Sequence, residues 1–467
     1  MATDFSGSSN IPITSQTEAF LLQTATIIVK NGKAIDLTNV IQEIEVFEDI
    51  FKSSITGSIT INDSVGGLEK FILTGGERLT LKAAMPAEGN SIIINRSNLI
   101  VHEFSKITTS STGNLRYKLY FTSESALNSL KKRIFKSFGT ERNVYKIVDF
   151  LYSNIEALGG TSTGIVRTMG FDPSATWGIK ITASDVWLPS PFICPGYTPI
   201  DAINHLAKRT SADGKYYVFY ERLNYNKEDG VGWHHYFTSI DDIIKKTDVN
   251  KIPTIKYSPA GNYFSTTTPE YNIRAKTVEY QPNYNHLSAM SGGFYNSRVR
   301  SLDVLSRRYS DTKISYKDVS DSSGGTNYTA KYLDSSNYFS SYGTNDFPGE
   351  RLIVSAMNEP FRDKKLWIKN DTYGAFLNSS IRVTVDIAGG TNRIGVGDLV
   401  DLRLPSRAHI AVNLENSVIP DDLLYSGKYI VTACRHRITR LGYTKKLELS
   451  RGNLRLNIDQ LIAQNPG

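Results

Sequence analysis

Cysteine is nearly absent: the chain of 467 residues has two, Cys194 and Cys434. So few cysteines exclude a disulfide framework and a cysteine cage around zinc, and they fit synthesis in a reducing cytoplasm. No stretch approaches the ~18 consecutive apolar residues of a membrane-spanning helix. The opening MATDFSGSSNIPITSQTEAF is polar and lacks the basic and apolar regions of a secretion signal, so neither export nor a membrane anchor is expected. Runs of like charge are missing too. The formal charge is +7 and the pI about 9.0, but the densest basic stretch is Ser297-Arg298-Val299-Arg300 with Arg307-Arg308, the spacing of one polar strand face. A nucleophile elbow, a P-loop and a dinucleotide fingerprint are all absent.

Aromatic residues are plentiful, and chiefly of two kinds. Tyrosine (26) and phenylalanine (20) far outnumber methionine (5) and tryptophan (4), a bias that suits strands and interfaces. Period-two alternation predicts strands at Ile41–Phe47, Ile55–Ile61, Arg78–Leu81, Ser91–Asn95, Leu99–Ile107 and Tyr117–Phe121. The period then changes. Val144, Ile147, Val148, Leu151 and Ile155 share one helix face, with Thr140 as the expected N-cap. Thr198-Pro199-Ile200-Asp201 opens a second helix with a cap, a first-turn proline and an acid. Lys215–Glu221 and His234–Phe237 follow as a hairpin. Strands return over 259–317; 318–349 is a loop; Arg362–Phe376 is an expected helix; strands resume from Ile381 to Leu449.

The two strand-rich regions share a plan. Gly76-Glu77-Arg78-Leu79, Leu99-Ile100-Val101, Ile107-Thr108 and Tyr117–Phe121 run in the same order as Gly397-Asp398-Leu399-Val400, Tyr429-Ile430-Val431, Ile438-Thr439 and Lys445–Leu449. Gene duplication and the degeneracy of strand patterns both account for such a match. Glycine enters positive φ without steric cost, so Gly57, Gly76, Glu77, Gly397, Asp398 and Gly427 are expected to form the turns that open barrel strands. These structural positions are the chain's candidate site residues.

Catalytic and ligand constellations are weak. His102-Glu103 lacks a second histidine, and His234-His235 point to opposite strand faces. Asp241-Asp242 and Asp421-Asp422 are adjacent acids of the kind usually found solvated in loops. Gly389-Gly390 and Gly395-Val396-Gly397 read as turns. Tyr216–Tyr220 reads as sheet packing, while Tyr328, Tyr332, Tyr338 and Tyr342 suit an interface or a stacking site. No catalytic residue, cofactor or metal site is expected.

Several segments together resemble the baseplate central hub proteins of contractile-tailed phages, a family related to the hub part of type VI secretion spikes. They are Ile44–Glu48, Gly57–Asp63, Gly75–Leu79, Phe121–Glu124, Lys136–Phe138, Pro199–Ile203, Tyr217–Glu221, Val396–Val400 and Ser426–Val431. The resemblance implies a β-rich α+β chain: a polar arm (1–24), a first small antiparallel tube-like barrel (25–125) and an α+β middle domain (126–258). A second barrel (259–317 and 377–455) is interrupted by a loop and helical insertion (318–376) and followed by a tail (456–467). It further implies a non-enzymatic homotrimer of pseudo-sixfold symmetry, assembled in the host cytoplasm into the virion's tail baseplate. The implied partners are a central spike, a tail tube protein or tube initiator, and surrounding wedge or ring proteins, with DNA passing through the lumen unbound. Two other readings stay open: a tail-associated protein that binds or degrades carbohydrate, and, from pI alone, a nucleic-acid binder.

Overall fold

The computed structural model describes residues 21–29, 32–63, 73–85, 91–109, 114–156, 179–181, 187–188, 191–210, 216–224, 232–240, 242–243, 252–257, 272–281, 296–303, 307–315, 350–355, 381–389, 394–406, 421–422 and 425–451. The expected 318–349 loop, its tyrosines and the Arg362–Phe376 helix lie outside these residues.

Strands dominate. The first half of the chain contributes β1 (Leu21–Ile28), β2 (Ala34–Asp36), β3 (Ile41–Asp49), β4 (Thr56–Asp63), β5 (Arg78–Met85), β6 (Ser91–Thr109) and β7 (Leu115–Ser123). The two strands expected over 91–107 are one continuous strand. The middle supplies β8 (Ile134–Ser137), β9 (Ile179–Ile181), β10 (Ile193–Tyr197), β11 (Tyr217–Asn224) and β12 (Gly232–Ser239). Then come β13 (Thr254–Tyr257), β14 (Asn272–Gln281), β15 (Asn296–Asp303), β16 (Arg308–Ser315), β17 (Glu350–Ser355) and β18 (Ile381–Ala388). Last are β19 (Leu399–Arg403), β20 (Gly427–Thr439) and β21 (Gly442–Arg451).

One 13-stranded sheet carries both strand-rich regions, in the order β19-β13-β14-β18-β21-β20-β3-β4-β7-β6-β5-β1-β2. Because β19 pairs with both β13 and β20, the second region closes into a six-stranded barrel. Its wall reads inward and outward by turns: along β18 and β21 buried Val383, Val385, Leu447 and Leu449 line the core, as period-two side chains must. The first region is wrapped around its own core of Ala25, Ile27, Ile44, Ile59, Leu119 and Phe121. Among the described residues no ladder joins the two ends of this region, and β2 stands at the end of the strand order.

The middle region is α+β. The Pro199–Arg209 helix starts as expected, with the Thr198 hydroxyl accepting from Asp201 N at 3.1 Å. The Val144–Glu156 helix is capped by Asn143, whose Oδ1 accepts from Lys146 N at 3.2 Å, and not by Thr140, which lies too far upstream to reach the first-turn amides. Strand β11 has two buried faces. Tyr217 and Phe219 pack against the helices, while Val218 and Tyr220 join the barrel core.

Domain borders differ from expectation at two places. Strand β13, on the middle-domain side of position 258, pairs in parallel with β14 and β19 and is part of the barrel wall. Strands β15 and β16, expected within the barrel, form a separate sheet in the order β16-β15-β17, which lays buried Val299 on the barrel core. The edge of β14 is taken by β13 and β18, which leaves β15 to form a hairpin with β16.

Gly57 is not in a turn. It is the second residue of β4, where a Cβ would stand 2.2 Å from Phe121 Cζ and 2.4 Å from Glu45 O. Close approach of the strand to a ring, not backbone freedom, requires glycine there. Gly57→Ala is therefore expected to cost about 1–3 kcal/mol through overpacking, seen as a lower urea midpoint at unchanged slope.

Candidate functional site at the seam between the two halves

The glycine–acid pairs form matching clasps. Gly76 and Gly397 both sit in the left-handed region, with φ of 89° and 88°. Gly76 N–H donates to Val101 O (2.7 Å) and Val101 N–H to Glu77 O (2.9 Å); Gly397 N–H donates to Val431 O (2.8 Å) and Val431 N–H to Asp398 O (2.9 Å). Each acid also gathers the loop before it. Glu77 accepts from Thr74 N (2.7 Å) and Gly75 N (3.0 Å), and Asp398 accepts from Gly395 N (2.8 Å). Gly427 opens β20 with φ 139°, and a Cβ there would meet Arg451 Nη1 at 2.5 Å.

The correspondence extends to two of the irregularities. The shifts of β6 between Ser105 and Thr108 and of β5 between Leu79 and Leu81 have no counterpart in β20 and β19, and through β7 and β21 it is Thr109, not Ile107, that matches Ile438. Strand β6 slips against β7 between Val101 and Glu103, and β20 slips against β21 between Val431 and Ala433. Strand β3 slips against β4 between Ile41 and Glu43, and β14 slips against β18 between Ala275 and Thr277. Counting from these bulges aligns Glu45 with Glu279 and Lys118 with Lys446. Both pairs are ion pairs, each at 2.9 Å. Generic strand alternation explains periodicity but not shared bulges and shared salt bridges, so duplication is the better account.

The halves meet where β20 runs on past β19 and pairs antiparallel with β3, from Ala433 opposite Asp49 to Thr439 opposite Glu43. Outside the seam, Arg437 pairs with Glu43, and Glu45 is held by Arg435, by Lys118 and by the Ser58 hydroxyl at 3.1 Å. Burial opposes charge on Glu45, but the two cations outweigh it and hold its pKa down at about 2.

Inside the seam lies a buried polar knot. Period two puts Cys434 and His436 on one face, next to Glu48 of β3 and to Tyr443 and Lys445 of β21. His436 Nδ1 is 2.8 Å from the Tyr443 hydroxyl; Nε2 is 3.4 Å from Glu48 Oε1 and 3.5 Å from Cys434 Sγ. Burial alone would lower the His436 pKa; Cys434 and Glu48 reverse this and push it up to about 9. The Glu48, Cys434 and His436 donors lie within 4.8 Å of one another, a set of the types zinc accepts. Lys445, buried against the same groups and donating to Ile394 O at 3.1 Å, already brings a basic group there and opposes a further cation. The Cys-x-His spacing was visible in sequence; its partner Glu48 was not, since only the seam brings it near.

Strand β11 braces both halves from adjacent residues. Glu221 Oε2 accepts from Ile55 N (3.1 Å) in the first half. Arg222, on the opposite strand face, makes a two-pronged pair with Asp398 (2.8 and 3.0 Å) in the second. Asp398 thus holds its own turn and the middle region together.

The weighed catalytic candidates have structural surroundings. His235 is buried between the Tyr152 hydroxyl (3.0 Å) and Ser125 Oγ (3.4 Å), and His102 is exposed in β6. Asp421 pairs with Arg403 at 2.8 Å, and Asp422 Oδ1 accepts from Tyr425 N at 2.9 Å. Of the Tyr216–Tyr220 run, Tyr217 to Tyr220 are buried and Tyr216 is half-buried. Asp241 and Gly390 lie outside the described residues.

No protein-family model matches the chain, and a search of curated proteins found no match either. Among solved structures it is similar to a tail protein from Neisseria meningitidis MC58, at 12% identity, covering 93% of this chain and 97% of that one, with a TM-score of 0.49. It is also similar to the 43 kDa tail protein of prophage MuSo2 from Shewanella oneidensis, at 9% identity over 92% and 98% of the two chains, with a TM-score of 0.49. A third likeness is to an E. coli component of the type VI secretion system, itself structurally similar to T4 bacteriophage tail proteins gp27 and gp5. There identity is 9%, coverage 94% and 78%, and the TM-score 0.40. All three scores are below 0.5, and function is argued below from the chain's own geometry.

Two outcomes follow from the clasps and the seam. Gly76→Ala, with open space around the new methyl, is expected to cost about 1–2 kcal/mol from backbone strain alone, and Gly397→Ala more, because its Cβ would meet the Tyr220 hydroxyl at 2.8 Å; denaturant titration of both variants checks the order. For Glu45, the folded pKa lies below the ordinary 4.5, so its contribution is complete above about pH 5 and is lost as pH falls through 4.5 towards about 2. Glu45→Gln should cost about 2 kcal/mol at pH 7 and close to nothing near pH 2, measured as thermal stability across that range.

Proposed function

We propose that this chain is a structural, non-enzymatic hub of a phage-type tail baseplate. In this reading it is a homotrimer whose two barrel-like halves per subunit form a ring of pseudo-sixfold symmetry. The ring joins a hexameric tail tube to a trimeric central spike, stands among wedge or ring proteins and leaves a lumen for DNA.

The observation that carries the reading is the kind of contact at the seam. By the shared bulges, β20 is the counterpart of β6, and β3 is the counterpart of β14. The seam therefore joins two unlike edges of two like units. That is a head-to-tail contact, which propagates around an axis, whereas a two-fold contact would pair like with like and stop. Three chains of two units each then give six stations around one axis, the way a threefold object meets a sixfold one.

The spread of positive charge and the structural surroundings of Asp421, Asp422 and His235 agree with a role in assembly more than in chemistry. Light scattering coupled to size-exclusion chromatography tests the reading, alone and with a candidate spike protein. A threefold mass is expected in at least the second condition; a monomer in both contradicts it.

A further inference from the structure

Internal symmetry leaves the chain with two edges that match the two sides of its own seam. Strand β20 has β21 along one side; along the other it has first β19, up to Ile430, and then β3, from Ala433. Strand β6 repeats this arrangement up to a point. It has β7 along one side and β5 along the other up to Ile100, but from Glu103 to Thr109 that second side has no strand partner among the described residues. Strand β14 completes the set. Its Asn272–Ala275 stretch is held by β13, and from Thr277 to Gln281 it pairs with β18 alone among the described residues, where its counterpart β3 has both β4 and β20.

Burial follows the same division. Cys434 is 1% exposed within the seam, while its counterpart Phe104 is 39% exposed. Ile44 and Val46 are fully buried, while their counterparts Val278 and Tyr280 are only half-buried. An apolar ring on one unpaired edge and half-covered apolar side chains on the other are what one half of a seam looks like without its partner.

Resting on the trimeric hub reading, we propose that the Glu103–Thr109 edge of one subunit pairs antiparallel with the Thr277–Gln281 edge of the next, repeating between chains the seam found within one. The occupant of each edge is thus a second copy of this chain. The internal register fixes the external one with one adjustment: β6 slips against β7 a second time, between Ser105 and Thr108, where β20 has no such slip against β21, so counterparts there are taken through β7 and β21. Arg437 stands opposite Glu45 in the seam; its counterpart Thr108 therefore stands opposite Glu279 of the neighbour, and Ser105, counterpart of Arg435, stands opposite Gln281. Within one chain these edges cannot meet, because β18, β21, β20, β3, β4 and β7 lie between them in the sheet.

The two kinds of seam differ in chemistry. Arg435 and Arg437 pair with Glu45 and Glu43 within the chain, whereas Ser105 and Thr108 hold those positions between chains. The contact between subunits then lacks the two arginine–glutamate pairs of the internal seam and rests on backbone pairing and on Phe104.

Disulfide trapping in the full-length double variant Thr108→Cys, Glu279→Cys tests the register, since directly opposed residues lie within ~4.5–5.5 Å between Cα atoms. Oxidation is expected to give covalent dimers and trimers that each single variant fails to give. Phe104→Asp, changing an already exposed side chain, is expected to leave the subunit folded by circular dichroism and to abolish the trimer. A wild-type trimer with no cross-link and with Phe104→Asp still trimeric overturns this interface while leaving the hub standing. A wild-type chain that stays monomeric with its spike partner overturns both.

Discussion

The antiparallel pairing of β20 with β3 is the contact on which the rest of the molecule depends. It turns two duplicated units into one sheet, and it draws together residues as distant in sequence as Glu48 and His436. Without it the barrel would still close through β19, but the first half would lose the partner on one flank of β3, and the knot of Glu48, Cys434, His436, Tyr443 and Lys445 would not assemble.

Burying so many polar groups between two apolar cores is costly unless each is paired, and pairing of that kind fixes register. A one-residue slip of β20 on β3 would turn Cys434 and His436 outward and bring Arg435 into the core. The seam is therefore specified by its polar residues as well as held by its backbone. Strand β11 adds a second constraint, because Glu221 and Arg222 reach the two halves from opposite faces of one strand, so the middle region acts as a brace across the duplication.

Sequence carried much of this. The alternation of β18 and β21, the Thr198 cap and the turns at Gly76–Glu77 and Gly397–Asp398 rest on local chemistry, which is readable, whereas the bonds from those turns to Val101 and Val431 are not local. Gly57 was misread because a glycine demanded by the Phe121 ring looks, in one dimension, like a glycine demanded by a turn. The placement of β13 and β15 was missed because strand partners are chosen by available edges, which no local pattern records. Glu48 was invisible as a partner of His436 for the same reason: only the duplicated sheet brings them together.

Electron microscopy of the purified assembly in end-on view tests the central claim most directly. A head-to-tail ring built from duplicated units should show six similar densities around a lumen, with alternate densities distinguishable so that the true symmetry is threefold. A two-fold particle, or one with no ring of repeated densities, would contradict the account.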